Sequence, residues 1–232
     1  MIGVFDSGVG GLNALYELRQ ELPFADIAYF ADEANAPYGI KNEDELVTLV
    51  NKDVNLLKSL GATHLLIACC TASTVYERLK VECKENVIPI ISPAVKVLKK
   101  FQRVTVIATE ATVRSHAFSN EIKRQNPDCE VLELPVQELV SEIEAGARDG
   151  NISKRCERIL TDVSAVAKDF SSEALVLGCT HFSHLEQEIR RKISDISVIS
   201  PAREGALALT KIVKEKNKGF LRECGRTVYI RS

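Results

Sequence analysis

No apolar run in this 232-residue chain approaches the roughly 18 residues that a membrane span requires, which excludes a transmembrane role. The chain runs from Met1-Ile2 straight into a strand pattern, without a basic-then-apolar leader, and this predicts a cytoplasmic protein. Charge of one sign is missing too. Thirty Lys and Arg face 32 Asp and Glu, and the resulting net charge of −2 leaves no electrostatic footprint for nucleic acid. The seven cysteines, at 69, 70, 83, 129, 156, 179 and 224, form no Cys-x-x-Cys pair and no secreted-type framework. They read as free thiols in a reducing compartment, and Cys83, Cys129, Cys156 and Cys224 read as small buried hydrophobes. No low-complexity stretch or flexible linker divides the chain. What is present, 45% hydrophobic and 27% charged residues, suffices for one large core or two domains of about 100–120 residues each.

The chain repeats itself. Leu65-Leu-Ile-Ala-Cys69 returns as Leu175-Val-Leu-Gly-Cys179, an offset of 179 − 69 = 110. Ile88-Pro-Ile-Ile-Ser-Pro-Ala94 returns as Ile196-Ser-Val-Ile-Ser-Pro-Ala202, an offset of 196 − 88 = 108. Ile2 to Ser7 has a fainter counterpart in Val104 to Thr109. Strand patterns fall at 2–7, 27–32, 64–69, 87–92, 103–109, 130–135, 174–179 and 197–200. Helical periodicity falls at 11–21, 43–59, 73–84, 93–100, 112–125, 137–145, 152–169, 183–193 and 203–217, followed by a polar tail over 218–232. This alternation predicts an α/β fold of two pseudo-symmetric lobes, each a mainly parallel sheet flanked by helices, with a ligand site in the cleft between them. The Ser-Pro-Ala repeats divide the lobes into 1–93 plus 205–232 and 94–204.

Several residues at predicted strand ends suit chemistry. Asp6-Ser-Gly-Val-Gly-Gly11 is a strand-to-helix turn in which glycines admit an anion to backbone N–H groups. It matches neither a dinucleotide fingerprint nor a P-loop, and a plain capped turn explains it equally well. Cys69 and Cys179 each precede a predicted helix start, where a thiol is expected to ionise more readily than its usual pKa of about 8.5. His181, two residues past Cys179, is positioned to relay a proton. His64, His116 and His184 read as solvated or capping residues. A zinc site from Cys69, Cys70, Cys179 and His181 can be drawn, but adjacent ligands match no standard spacing, so no metal is expected.

Together, Asp6-Ser-Gly-Val-Gly-Gly-Leu12, Asp32, Pro37-Tyr38-Gly39, Ala68-Cys69-x-Thr71-Ala72-Ser73 and Gly178-Cys179-Thr180-His181 resemble the glutamate racemases, in the same order over almost the whole chain. The resemblance implies a cofactor-independent enzyme that supplies D-glutamate for peptidoglycan by two-base proton transfer. Cys69 would act on D-glutamate with help from Asp6, and Cys179 on L-glutamate with help from His181. Glu142 falls where the family has a further acidic residue. Ser7, Asp32, Pro37, Tyr38, Gly39, Cys70, Thr71, Thr109, Thr112 and Thr180 fall on positions that hold the amino acid. A homodimer is also implied. Without a cofactor as electron sink, hydroxyl and N–H donors must hold the carboxylate beside a developing carbanion, which fits a site rich in Ser and Thr.

The chain departs from the family pattern at three places. Cys70 replaces Asn, Phe182-Ser183 replaces Tyr-Pro, and Ser200-Pro201-Ala202 replaces Asp-Ser-Gly. A thiol is a weak donor and acceptor where Asn offers two donors and an acceptor. A paralogue with an altered amino-acid substrate, or a non-catalytic amino-acid-binding regulator, therefore stands beside the racemase reading.

Overall fold

The structure, a computed structural model, describes residues 1–82, 84–216 and 225–232. Cys83 and Cys224 lie outside the described residues. The strands are β1 (Ile2–Asp6), β2 (Ile27–Ala31), β3 (His64–Ile67), β4 (Val87–Pro89), β5 (Arg103–Ala108), β6 (Glu130–Pro135), β7 (Ala174–Gly178), β8 (Ser197–Ile199) and β9 (Thr227–Arg231). The α-helices are α1 (Leu12–Glu21), α2 (Glu43–Ser59), α3 (Cys70–Ser73), α4 (Ile91–Lys96), α5 (Glu110–Ser115), α6 (Ala117–Gln125), α7 (Gln137–Glu144), α8 (Lys154–Asp169), α9 (Glu186–Lys192) and α10 (Pro201–Lys216). Among the described residues, no helix is long and apolar enough to cross a membrane.

The strands form two parallel sheets, ordered β4-β3-β1-β2-β9 and β6-β5-β7-β8. Reading the second backwards, β8-β7-β5-β6 matches β4-β3-β1-β2, so the repeated segments occupy equivalent strands and both cysteine turns leave equivalent carboxyl ends. Parallel strands covered on both faces need apolar residues at successive positions, which is why Leu65, Leu66 and Ile67 are all fully buried. Side chains of one parity, including Ile2, Val4, Val104, Val106 and Val176, join a core shared by the two sheets with α1, α4, α6 and α10. Those of the other parity face outward. Phe5, Phe30 and Ile67 pack on α2, while Ile107, Leu175 and Leu177 pack on α7, α8 and α9.

The elements depart from the sequence expectation most in four places. The helix expected over 73–84 shrinks to α3 and a 3₁₀ turn at Tyr76–Arg78. Hydroxyls compete with the helix there: Thr74 Oγ1 donates to Thr71 O at 2.8 Å, and Ser73 Oγ accepts from Ile90 N at 3.1 Å. The helix expected over 112–125 breaks at His116, which adopts φ 52° between α5 and α6. The segment 180–185 is a 3₁₀ turn rather than the start of α9. The tail is not merely polar. Thr227-Val-Tyr-Ile-Arg231 adds β9 to β2, a run of β-branched and aromatic residues with a readable strand signal. His64, expected at the surface or in a cap, is buried in β3.

Candidate active site

Both cysteine turns open onto one cavity of about 380 Å³ between the sheets, lined by Cys69 from one side and Cys179 from the other. Of the residues expected to hold an amino acid, Ser7, Pro37, Tyr38, Gly39, Cys70, Thr71, Thr109 and Thr180 line it, as does His181. Two glycines let the cavity's opposite walls approach closely. A Cβ on Gly10 would sit 2.5 Å from Thr180 Oγ1, and one on Gly39 would sit 2.9 Å from Thr109 Cβ.

The first thiol sits at the N-terminus of α3. Cys69 Sγ accepts from Ala72 N at 3.4 Å and lies 3.4 Å from Ser7 Oγ. Asp6, fully buried at the end of β1, does not line the cavity. Its carboxylate accepts from Gly8 N at 2.9 Å and from Thr180 Oγ1 at 3.1 Å, a hydrogen bond that joins the two cysteine turns. Burial pushes Asp6 up to about 6 despite these donors.

The second thiol faces a histidine. Cys179 Sγ lies 3.6 Å from His181 Nδ1, and His181 Nε2 lies 3.6 Å from Glu144 Oε1. Burial, followed by His184 and Arg148, lowers His181 to about 4, so the ring is neutral at pH 7. The Glu144 carboxylate favours the tautomer with its proton on Nε2, which leaves the Nδ1 lone pair aimed at the Cys179 thiol.

Burial opposes the expectation that a helix start makes these thiols acidic. Burial pushes Cys69 up to about 11, with the charge of Asp6 adding to it, and raises Cys179 still further. Cys70, also buried on the cavity wall, is raised as well. The helix following Cys69 is one turn long and Cys179 is followed by a 3₁₀ turn, so neither offers a dipole strong enough to offset desolvation.

Three other expected contacts are displaced. Asp32 does not line the cavity; its Oδ2 accepts from Tyr38 OH at 2.6 Å and its Oδ1 from Asn35 Nδ2 at 2.9 Å. Thr112 lies behind the wall, its hydroxyl 3.1 Å from Thr71 Oγ1 and 2.9 Å from Thr109 Oγ1. Glu142 points away, hydrogen-bonded by Ser153 and 3.8 Å from Arg155 Nε. Positions two apart on a helix face directions roughly 200° apart, so if α7 turns Glu144 to the cavity it must turn Glu142 out. Sequence reading also missed Glu33, Gln137, Val140 and Arg231 on the wall. Glu144 and Gln137 had no motif of their own, and Arg231 lay in the segment read as a tail.

Tyr38 reaches a second buried acid, with its hydroxyl 2.9 Å from Asp53 Oδ2 on α2. A phenol has one proton. Donating it to Asp32, Tyr38 can only accept from Asp53, which requires Asp53 to carry a proton. Burial pushes Asp53 up to about 7, in agreement. Cys129 and Cys156 are buried free thiols away from this cavity. Among the described residues, no three His, Cys, Asp or Glu side chains gather as metal ligands.

Residues 17–209 match the Asp/Glu/Hydantoin racemase family. A glutamate racemase of Aquifex aeolicus is 35% identical over 226 residues, spanning 95% of this chain and 86% of that protein. The crystal structure of a Francisella tularensis glutamate racemase in complex with D-glutamate superposes with a TM-score of 0.87 at 31% identity, covering 98% of this chain and 87% of that one. A Picrophilus torridus aspartate racemase, 19% identical with a TM-score of 0.66, shares the fold. Two parallel sheets, a cavity with a thiol from each, and these likenesses have one common meaning: the chain belongs to the Asp/Glu/Hydantoin racemase family.

Proposed function

We propose that this protein interconverts L- and D-glutamate without a cofactor, using Cys69 and Cys179 as the two proton-transfer groups. The observation that carries the reading is a thiol from each sheet facing one cavity, Cys69 beside Ser7 with the buried Asp6 charge behind the wall, and Cys179 beside His181 and Glu144. In one direction a thiolate at Cys179 removes the α-proton of L-glutamate, and the Cys69 thiol delivers its proton to the other face of the same carbon. One C–H bond breaks and one forms, one S–H bond forms and one breaks, and the charge passes from one sulfur to the other. The reverse reaction begins at Cys69. A buried thiolate is scarce but strongly basic, which suits abstraction from so weak an acid as an amino-acid α-carbon.

The Thr71 and Thr109 hydroxyls, 2.9 Å apart on the cavity wall, would hold a carboxylate as negative charge grows beside it, and Thr112 bonds to both from behind. Family resemblance supports the same reading and extends it to a cytoplasmic homodimer that supplies D-glutamate for peptidoglycan.

Deuterium incorporation tests the proposal. In D2O the protein should wash deuterium into the α-carbon of either glutamate enantiomer while optical activity decays. Cys69→Ser and Cys179→Ser should each lower racemisation by at least about 10³-fold, while Cys156→Ser should stay within about threefold of the parent. Exchange into aspartate but not glutamate would assign a different amino-acid substrate. Binding of glutamate with no exchange would make the protein a sensor.

A further inference from the structure

Among the described residues lining the cavity, Arg231 is the only Arg or Lys, and Glu33 and Glu144 are the acids on the same wall. With His181 neutral, a dicarboxylic amino acid entering as a net anion meets one lining group of opposite charge. The backbone, more than the side chain, fixes where that charge stands. Arg231 pairs with Ala31 in the β9–β2 register, so it ends at the carboxyl edge where the cavity opens. One residue on, Ser232 N donates to Ala31 O at 3.2 Å and Ser232 Oγ accepts from Ala34 N at 2.9 Å, tying the end of β9 to the turn that carries Glu33.

At rest the guanidinium is only loosely engaged. Arg231 Nε lies 3.6 Å from Glu33 Oε1, with the two side chains 70% and 36% exposed. Exposed pairs of this kind hold weakly, so a carboxylate offered from inside the cavity competes well for the same guanidinium. We propose that Arg231 is a specificity-determining residue that receives the side-chain carboxylate of the amino-acid substrate at the cavity rim, with Glu33 as the group that releases it. The inference rests on the dicarboxylate reading of the site given above.

The two members of the pair make opposite predictions. Arg231→Gln should raise KM and the calorimetric Kd for D-glutamate about three- to tenfold, acting through binding more than through kcat. Glu33→Gln, which frees the guanidinium, should lower both. Arg231→Lys should fall between parent and Arg231→Gln. The gap between parent and Arg231→Gln should narrow at about 0.5 M salt, because the contact is solvated. A shift in the same direction for Arg231→Gln and Glu33→Gln would mean that the pair only latches β9 to the fold, and would overturn the inference. So would an unchanged Kd in Arg231→Gln. Parent protein that binds D-glutamate without racemising it defeats the catalytic proposal alone, since the Kd series still judges Arg231. Parent protein that fails to bind it defeats both.

Discussion

Glu142 and Glu144 are two residues apart on α7, yet only Glu144 faces the chemistry. Glu144 stands 3.6 Å from His181, while Glu142 is engaged by Ser153 and Arg155. Glu144→Gln removes the charge that keeps the imidazole proton on Nε2, so the Nδ1 lone pair should be lost to Cys179 in part of the population. The expected result is a drop of about tenfold in kcat with L-glutamate, the direction that begins at Cys179, and a smaller drop with D-glutamate. Glu142→Gln should leave both directions within about twofold. Equal losses from the two substitutions would mean that α7 as a whole, and not the Glu144 carboxylate, supports turnover. His181 itself was recognisable from its place beside the second cysteine, whereas its carboxylate partner was not, because helix phase was needed to choose between two glutamates.

Among the elements, α2 ties local sequence to the site. Asn42 Oδ1 accepts from Glu45 N at 3.0 Å and Glu45 Oε2 accepts from Asn42 N at 3.0 Å, a reciprocal cap that starts the helix at Glu43 as the sequence pattern predicts. One face then buries Leu46, Val50, Val54 and Leu57 against the outer side of the first sheet. Asp53, on the same buried face, reaches Tyr38. Removing the cap with Asn42→Ala should cost about 1 kcal/mol, seen as a fall of roughly 2–4 °C in Tm. An unchanged Tm would mean that packing alone holds the first turn. The α3 segment shows the opposite case. The sequence pattern promised a long helix, but Thr74 Oγ1 donates back to Thr71 O while Ser73 Oγ donates to Ile67 O and accepts from Ile90 N, and one turn remained.

For the molecule as a whole, burial of acids gives stability a definite pH dependence. Asp6 and Asp53 rise from 3.8 to about 6 and about 7 on folding, so the folded protein binds these protons more tightly than the unfolded chain does. Their contribution to stability is therefore complete below about pH 4 and is lost as pH rises through 6 to 7. Asp53→Asn removes an ionisation while keeping a group able to donate to Tyr38. Its Tm should match the parent near pH 4 and exceed it by several degrees at pH 8. Tm curves that run parallel across that range would show that folding leaves the Asp53 pKa unshifted.

The two-lobe architecture was legible because parallel strands buried on both faces must be written as unbroken apolar runs, and because the duplicated turns at Cys69 and Cys179 marked equivalent strand ends. Most cavity residues were legible for a related reason: they sit at carboxyl ends of strands, in short contiguous motifs. Arg231 at the rim, Glu144 behind His181 and Asp53 behind Tyr38 were not, since each depends on contacts between segments far apart along the chain. The acidity of the thiols lay even further from local reading. A cysteine before a helix start looks acidic in isolation, but desolvation is a property of everything packed around it, and here that packing makes both sulfurs reluctant to ionise.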